Sequence, residues 1–437
     1  MTEVTTAAVG ADSAPHSEPD VSVVLAVYDG MPYLRRCLES IEAQTLAADR
    51  IEIIAVDDGS TDAGPGFLDH FAQYSRIPTR VLHQENSGGA SRPRNAGLTL
   101  ARGRYVFFMD ADDYLGEEAL ERMVAMADRN ETDVVLGKVI GVNRGAPRSM
   151  WGRNLNRADV FSSNIKFTLS AQKLFRRELL MRHEMRFDES LKTGEDALFT
   201  MEAYLRGNGV SVVADYTCYY LVGREDGKHL TKSGSYTLRF DSAQALMHLI
   251  AQFVPAGPHR DQLMIRPFLI TLLPQFGPGL LTQNEEIQEH KLALARPLTD
   301  AYWTPGVAAL LKVDERLRLH CVATERMDLL RDVLAFIKDK KRPAALLDSR
   351  RRTLFLAYPH FRDRSAGIPD TMYEVTAREA LTSDTLRWAP RHPQWNRLCR
   401  TAFSTGRRAV RRYPILRRAI HRIPLAHRLP SAPSARR

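Results

Sequence analysis

Apolar positions along the first half of this chain alternate between two rhythms. Val21-Ser22-Val23-Val24-Leu25-Ala26-Val27 is a short, nearly unbroken apolar run, and Ile51-Glu52-Ile53-Ile54-Ala55-Val56 and Tyr105-Val106-Phe107-Phe108-Met109 repeat it. Runs of this length, rich in Val, Ile and Phe, predict strands buried on both faces. Thr79-Arg80-Val81-Leu82-His83 reads as a further strand. Between the runs the apolar spacing widens to the helical period. Leu34, Leu38 and Ile41 mark one face of a helix over 31–44, and 67–74, 91–101 and 117–129 read as helices too. Strands alternating with helices predict an α/β fold with a mostly parallel sheet and ligands at the carboxyl ends of its strands. Helices over 171–181 and 195–206 and a strand over 218–222 complete a domain spanning 21–235. Residues 236–342 are a helix-rich linker region. Residues 343–396 form a small C-terminal domain with strand-like pieces such as Thr353-Leu354-Phe355-Leu356-Ala357-Tyr358. Residues 1–20 are small, polar and aperiodic, and are expected to be disordered.

Composition sharpens this picture at three points. The 437 residues exceed one ordinary domain, and an apolar fraction of 44% is ample for a core. The four cysteines, Cys37, Cys218, Cys321 and Cys399, lie far apart, which argues against a zinc site or a disulfide scaffold and fits a reducing compartment. The net charge of +9 is local. Residues 397–437 hold twelve arginines and no acid, and taking those twelve away from +9 leaves the remainder at −3. Such a tail, mixed with Ile415, Leu416 and Ile423, suits an anionic membrane surface or is a solvated basic tail. Nothing resembles a base-reading module, so nucleic acid is not expected as a partner. The absence of an apolar leader and of any membrane-length apolar run places the chain on the cytoplasmic side, peripheral to the membrane at most.

The candidate chemistry falls where the strands end. Asp110-Ala111-Asp112 closes the run 105–109, and two carboxylates at i and i+2 there can face a hard divalent cation. Asp57-Asp58-Gly59-Ser60-Thr61-Asp62 closes the second strand, and either Asp57 or Asp58 can accept from the N3–H of a uracil. Ala26 lies near the end of the first strand, and Tyr28 and Asp29 follow it. Asn86-Ser87-Gly88-Gly89 leads into a helix whose Arg94 can pair with diphosphate oxygens or with the carboxylates. Gly194-Glu195-Asp196 opens a later helix, and a carboxylate there can serve as a general base.

In this order the motifs resemble the family 2 glycosyltransferases of the GT-A fold, a Rossmann-like nucleotide-diphospho-sugar transferase domain, over roughly 20–235. The form Pro93-Arg94-Asn95 is similar to the branch that glycosylates wall teichoic acids, the poly(ribitol phosphate) glycosyltransferases. The resemblance implies an inverting, metal-dependent transfer from a UDP-sugar to a polyol-phosphate or glycan acceptor, with Mn²⁺ or Mg²⁺ as cofactor. Asp112 and His229 are then the metal ligands, and Asp110 and Ala111 bind the donor with Ala26, Tyr28, Asp57, Asp58, Asn86, Arg94 and Arg224. Asp196 is the base and Glu195 orients the site. Asp113 reads as a helix cap before Glu117. The resemblance also implies a homo-oligomer.

Overall fold

Strand β1 (Val21–Val27) pairs in parallel with β2 (Ile51–Asp57) on one side and with β4 (Tyr105–Asp110) on the other, and β3 (Thr79–His83) adds outside β2. The register sets Val27 opposite Asp57 and Ala26 opposite Asp110, so three strand ends carrying candidate residues lie side by side. The computed structural model describes residues 18–225, 235–348, 353–376 and 379. His229, residues 1–17, residues 380–396 and the arginine-rich stretch 397–437 lie outside the described residues. Asp20, expected in an irregular N-terminus, is instead buried, and its carboxylate accepts from Arg50 and from Arg104 Nε at 2.7 Å.

Helices α1 (Tyr33–Glu42), α2 (Gly64–Tyr74), α3 (Ser91–Leu100) and α4 (Ala119–Asn130) fall where the spacing predicts, and α1 buries Leu34, Cys37, Leu38 and Ile41. The remaining strands are β5 (Tyr114–Leu115), β6 (Val134–Val142), β7 (Leu155–Ala158), β8 (Leu174–Arg176) and β9 (Val210–Val222). The order across the sheet is β3-β2-β1-β4-β8-β6-β9-β5, with β7 also on β9. The sheet is therefore mixed: the half built on β1 is parallel, while β8 runs antiparallel to both β4 and β6. The helix expected over 171–181 is a correction. Leu174 and Phe175, fully buried, enter the sheet as β8, and only Arg177–Arg182 is helical, as α5. Three residues are too few to show a strand period, and the slot between β4 and β6 overrides local preference. The strand expected over 218–222 is the end of β9, whose pairing with β6 shifts register at Gly137 and Lys138.

Helices α6 (Glu195–Arg206) and α7 (Thr237–Phe253) complete a first compact unit that runs through Phe253. Phe199 of α6 stacks on Phe187 at 4.1 Å and meets Phe108 of β4 edge-on at 5.6 Å. This aromatic cluster fixes α6 against the strand that ends in Asp110. The second unit begins at Val254 and holds helices α8 (Pro258–Arg266), α9 (Glu285–Tyr302), α10 (Pro305–Ala309), α11 (Val313–Ala323) and α12 (Met327–Lys338). Its strands β10 (Ala344–Asp348) and β11 (Thr353–Ala357) form an antiparallel pair. Among the described residues, no helix is long and apolar enough to cross a membrane.

Candidate active site

The turn after β2 has a strict geometry. Gly59 has φ +75°, and a Cβ there would stand 2.7 Å from the backbone nitrogen of Asn86, so only glycine fits where the two loops touch. The two acids before it face different neighbours. Asp58 accepts from Gln84 Nε2 at 2.5 Å and from the Ser87 amide and hydroxyl at 3.1 and 2.9 Å, which ties it to the 84–89 loop. Asp57 accepts from the Ser60 amide at 3.1 Å and pairs with His83 Nδ1 at 3.0 Å. The other His83 nitrogen meets Asp69 of α2 at 3.1 Å. Burial opposes the charge of His83, but its bonds to Asp57 and Asp69 outweigh that and raise its pKa. Asn86 accepts from the Gly88 amide at 2.7 Å and so shapes the glycine loop.

At the end of β1, Tyr28 is 47% exposed and Asp29 has φ +44°, a conformation Asp and Asn tolerate. The Asp29 carboxylate accepts from the Thr61 amide at 2.8 Å and so ties the end of β1 to the turn after β2. Arg224 Nη2 donates to the Asp29 carbonyl at 3.0 Å, and its guanidinium lies 5.4 Å from the Tyr33 ring centre.

The Asp110–Asp113 turn concentrates negative charge. Asp110 accepts from Arg94 Nη2 at 2.8 Å and from Gln172 Nε2 at 2.5 Å. Asp112 is pushed up to about 6 by burial and by the charge of Asp110, and Arg224 and Arg144 pull the other way. Asp113 does not cap a helix, contrary to expectation: α4 begins only at Ala119, with no side-chain cap. The Asp113 carboxylate is buried and accepts from Tyr219 Oη at 2.8 Å and the Val222 amide at 2.7 Å, tying the turn to β9. Burial, then repulsion from Asp110 and Asp112, raises it to about 8. The carboxylate oxygens of this turn are of the type that could hold a hard cation such as Mg²⁺ or Mn²⁺. Among the described residues, no three His, Cys, Asp or Glu side chains converge as a ready-made metal shell.

Arg94 connects this turn to α6. It is 5% exposed, and its second arm reaches Glu195 Oε1 at 3.2 Å. Its guanidinium lies 5.2 Å from the Phe187 ring centre. Burial opposes its charge, and Asp110 and Glu195 more than restore it. Of the two roles open to Arg94, the structure shows the one with the carboxylates. Glu195 is itself raised by burial and by Asp196. Asp196 lies in the first turn of α6, whose N-cap Gly194 has φ +86°. Gln172, Lys173 and Arg144 carry no motif. Lys173, fully buried, donates to Ser170, and burial, opposed by the charge of Asp196, lowers it to about 7. The antiparallel entry of β8 brings Gln172 and Lys173 to the site, and Arg144 comes from the segment that follows β6.

Comparison with known proteins identifies the family. The family description "Glycosyl transferase family 2" matches residues 22–184, and "Glycosyl transferase TarS linker domain" matches 238–334. The poly(ribitol-phosphate) β-N-acetylglucosaminyltransferase TarP of Staphylococcus aureus is 33% identical over 219 residues, covering 49% of this chain and 67% of that protein. The chain belongs to the family 2 glycosyltransferases. A poly(ribitol-phosphate) β-glucosyltransferase of Bacillus spizizenii is 41% identical over 212 residues, 48% of this chain but only 33% of that relative's length. Among solved structures, residues 1–349 of S. aureus TarS in complex with UDP-GlcNAc superpose with a TM-score of 0.68 at 29% identity, covering 78% of this chain and 97% of that one. The GT-A architecture, with a helical region after it, is thus the family's own.

Proposed function

We propose that this glycosyltransferase moves a sugar from a UDP-sugar to a hydroxyl of a phosphate-rich polymer of the poly(ribitol phosphate) type, with inversion at the anomeric carbon. The observation that carries the reading is the junction at Arg94, which joins Asp110, at the donor-side strand end, to Glu195, beside Asp196. Donor turn and acidic helix start are thereby held in one rigid arrangement.

Each residue then has a task. Asp58, tied to the 84–89 loop, is better placed than Asp57 to accept from the uracil N3–H, because Asp57 faces His83 and α2. Tyr28 offers a wall to the nucleoside. Arg224, and the exposed Arg144, whose charge also reaches Asp112, suit phosphate oxygens. Asp112, with His229 as the resemblance implies, would hold Mn²⁺ or Mg²⁺. Once bound, that ion neutralises charge on the departing diphosphate. Asp196 takes the proton of the acceptor hydroxyl as that oxygen attacks the anomeric carbon, opposite the breaking bond to UDP. The relatives are named for β-linked products, and a β-linkage made from an α-linked UDP-sugar is an inversion. Arg148 and Arg153, exposed on the loop between β6 and β7, favour a polyanionic acceptor over a neutral glycan.

The test is a screen of UDP-glucose, UDP-galactose, UDP-GlcNAc and UDP-GalNAc with Mn²⁺ and poly(ribitol phosphate), reading released UDP and polymer-bound sugar. Transfer from one donor is expected. Transfer to a neutral glycan intermediate and not to the polymer would replace the acceptor assignment. No UDP binding and no release from any donor would overturn the reading.

A further inference from the structure

Asp196 sits on a helix whose first residues come off a short loop, Lys192–Gly194, and that loop is gripped from a second direction. The Ser242 hydroxyl on α7 makes its shortest contact with the Thr193 carbonyl, and the Leu238 carbonyl of its own helix also lies within reach at 2.8 Å. Arg239 Nη1, one turn earlier on α7, donates to Thr193 Oγ1 at 3.0 Å. A Cβ at Gly194 would stand 2.8 Å from Ser242 Cβ, and Gly194 already occupies φ +86°, so α7 abuts bare backbone at the helix start. The Gly194 carbonyl in turn accepts from the Leu198 amide at 3.1 Å, closing the first turn of α6. The loop thus touches α7 through a backbone carbonyl, a hydroxyl and a glycine.

Sequence families assign α7 elsewhere, since the linker match begins at 238 and the catalytic match ends at 184. We infer that α7 is a working part of the catalytic centre: Ser242 and Arg239 are positioning residues that fix Thr193–Gly194 and thereby aim the Asp196 carboxylate at the acceptor hydroxyl. This rests on the reading of Asp196 as the base. The donor side is held by other residues, Asp58, Asp110 and Arg94 among them. Loosening the α7 grip therefore alters the chemical step and leaves donor recognition intact. Misplacing a reacting group by about 1 Å can cost on the order of a hundredfold in rate.

The experiment compares full-length wild type with Ser242→Ala, Arg239→Met and Arg239→Lys. It measures kcat and donor KM for transfer to polymer, UDP affinity by calorimetry, Tm, and amide hydrogen exchange at 193–198. Ser242→Ala and Arg239→Met are expected to lower kcat by about tenfold or more, within the scale of such misplacements. Donor KM and UDP affinity should stay near wild type, exchange at 193–198 should quicken, and Arg239→Lys should recover much of the loss. Unchanged kcat, or a fall in kcat that tracks equal losses of UDP affinity and Tm, would overturn the inference while leaving the glycosyltransferase reading standing. A wild type that neither binds UDP nor releases it would overturn that reading, and this inference with it.

Discussion

Arg94 Nη2 lies 2.8 Å from Asp110 Oδ1, and this ion pair binds helix α3 to the end of β4 where the Asp110–Asp113 turn begins. The same guanidinium reaches Glu195, so two carboxylates share one buried cation. Removing it leaves both without a countercharge, which for a buried pair costs about 3–5 kcal/mol. Asp110 is about one-third exposed, which places the expected loss at or below the lower bound. Arg94→Ala should therefore unfold at clearly lower temperature and lose transfer activity. Arg94→Lys keeps the charge but cannot span both carboxylates, and should fall between. Thermal unfolding and UDP release check both.

The different surroundings of Asp57 and Asp58 separate their roles. A hydrogen bond to a charged group contributes about 1.5–3 kcal/mol, or roughly ten- to a hundredfold in affinity. Asp58→Asn should weaken UDP binding on that scale. Asp57→Asn should disturb His83 and have the smaller effect on UDP. Calorimetry with UDP decides, and the reverse ranking would assign the uracil contact to Asp57.

Lys173 gives a dependence of stability on pH. Its folded pKa, lowered to about 7 by burial, lies below the roughly 10.4 of an unfolded lysine. Between those values the unfolded chain binds a proton that the folded chain does not, so this residue's contribution makes stability rise with pH from about 7 to about 10.4. Below pH 7 its penalty is complete. Lys173→Met removes the term. The Tm advantage of that variant over wild type should be largest near neutrality and shrink toward pH 10.

Metal removal should act through Asp112. Chelation is expected to lower the affinity of the wild type for UDP, because a divalent ion would bridge carboxylate and diphosphate. Asp112→Asn should bind UDP more weakly than wild type with metal present and respond little to chelator. An equal response in both proteins would move the ion to another residue.

Much of this was legible in the chain for a physical reason. Strands β1, β2 and β4 are buried on both faces, so their sequences are continuous apolar runs, and the acids that end them stand out against that background. Asp110, Asp112 and the pair Asp57-Asp58 stand out in this way, with no choice between the last two, whereas Asp196 opens a helix and stands out only by its place after these motifs. Partners that meet only through tertiary pairing do not stand out. Tyr219 reaches Asp113 because β9 closes over the turn, and Gln172 reaches Asp110 because the three-residue strand β8 enters the sheet antiparallel. A local pattern carries no trace of either pairing. The Asp113 side chain, read as a helix cap from its position before Glu117, was misplaced for the same reason.

Steady-state transfer by wild type and Asp196→Asn, set beside UDP affinity for each, tests the central claim most directly. General-base assistance contributes about a hundred- to ten-thousandfold. Loss of transfer on that scale in Asp196→Asn, with UDP affinity unchanged, is the predicted result. Transfer retained by Asp196→Asn, or lost only in step with UDP affinity, would contradict the account.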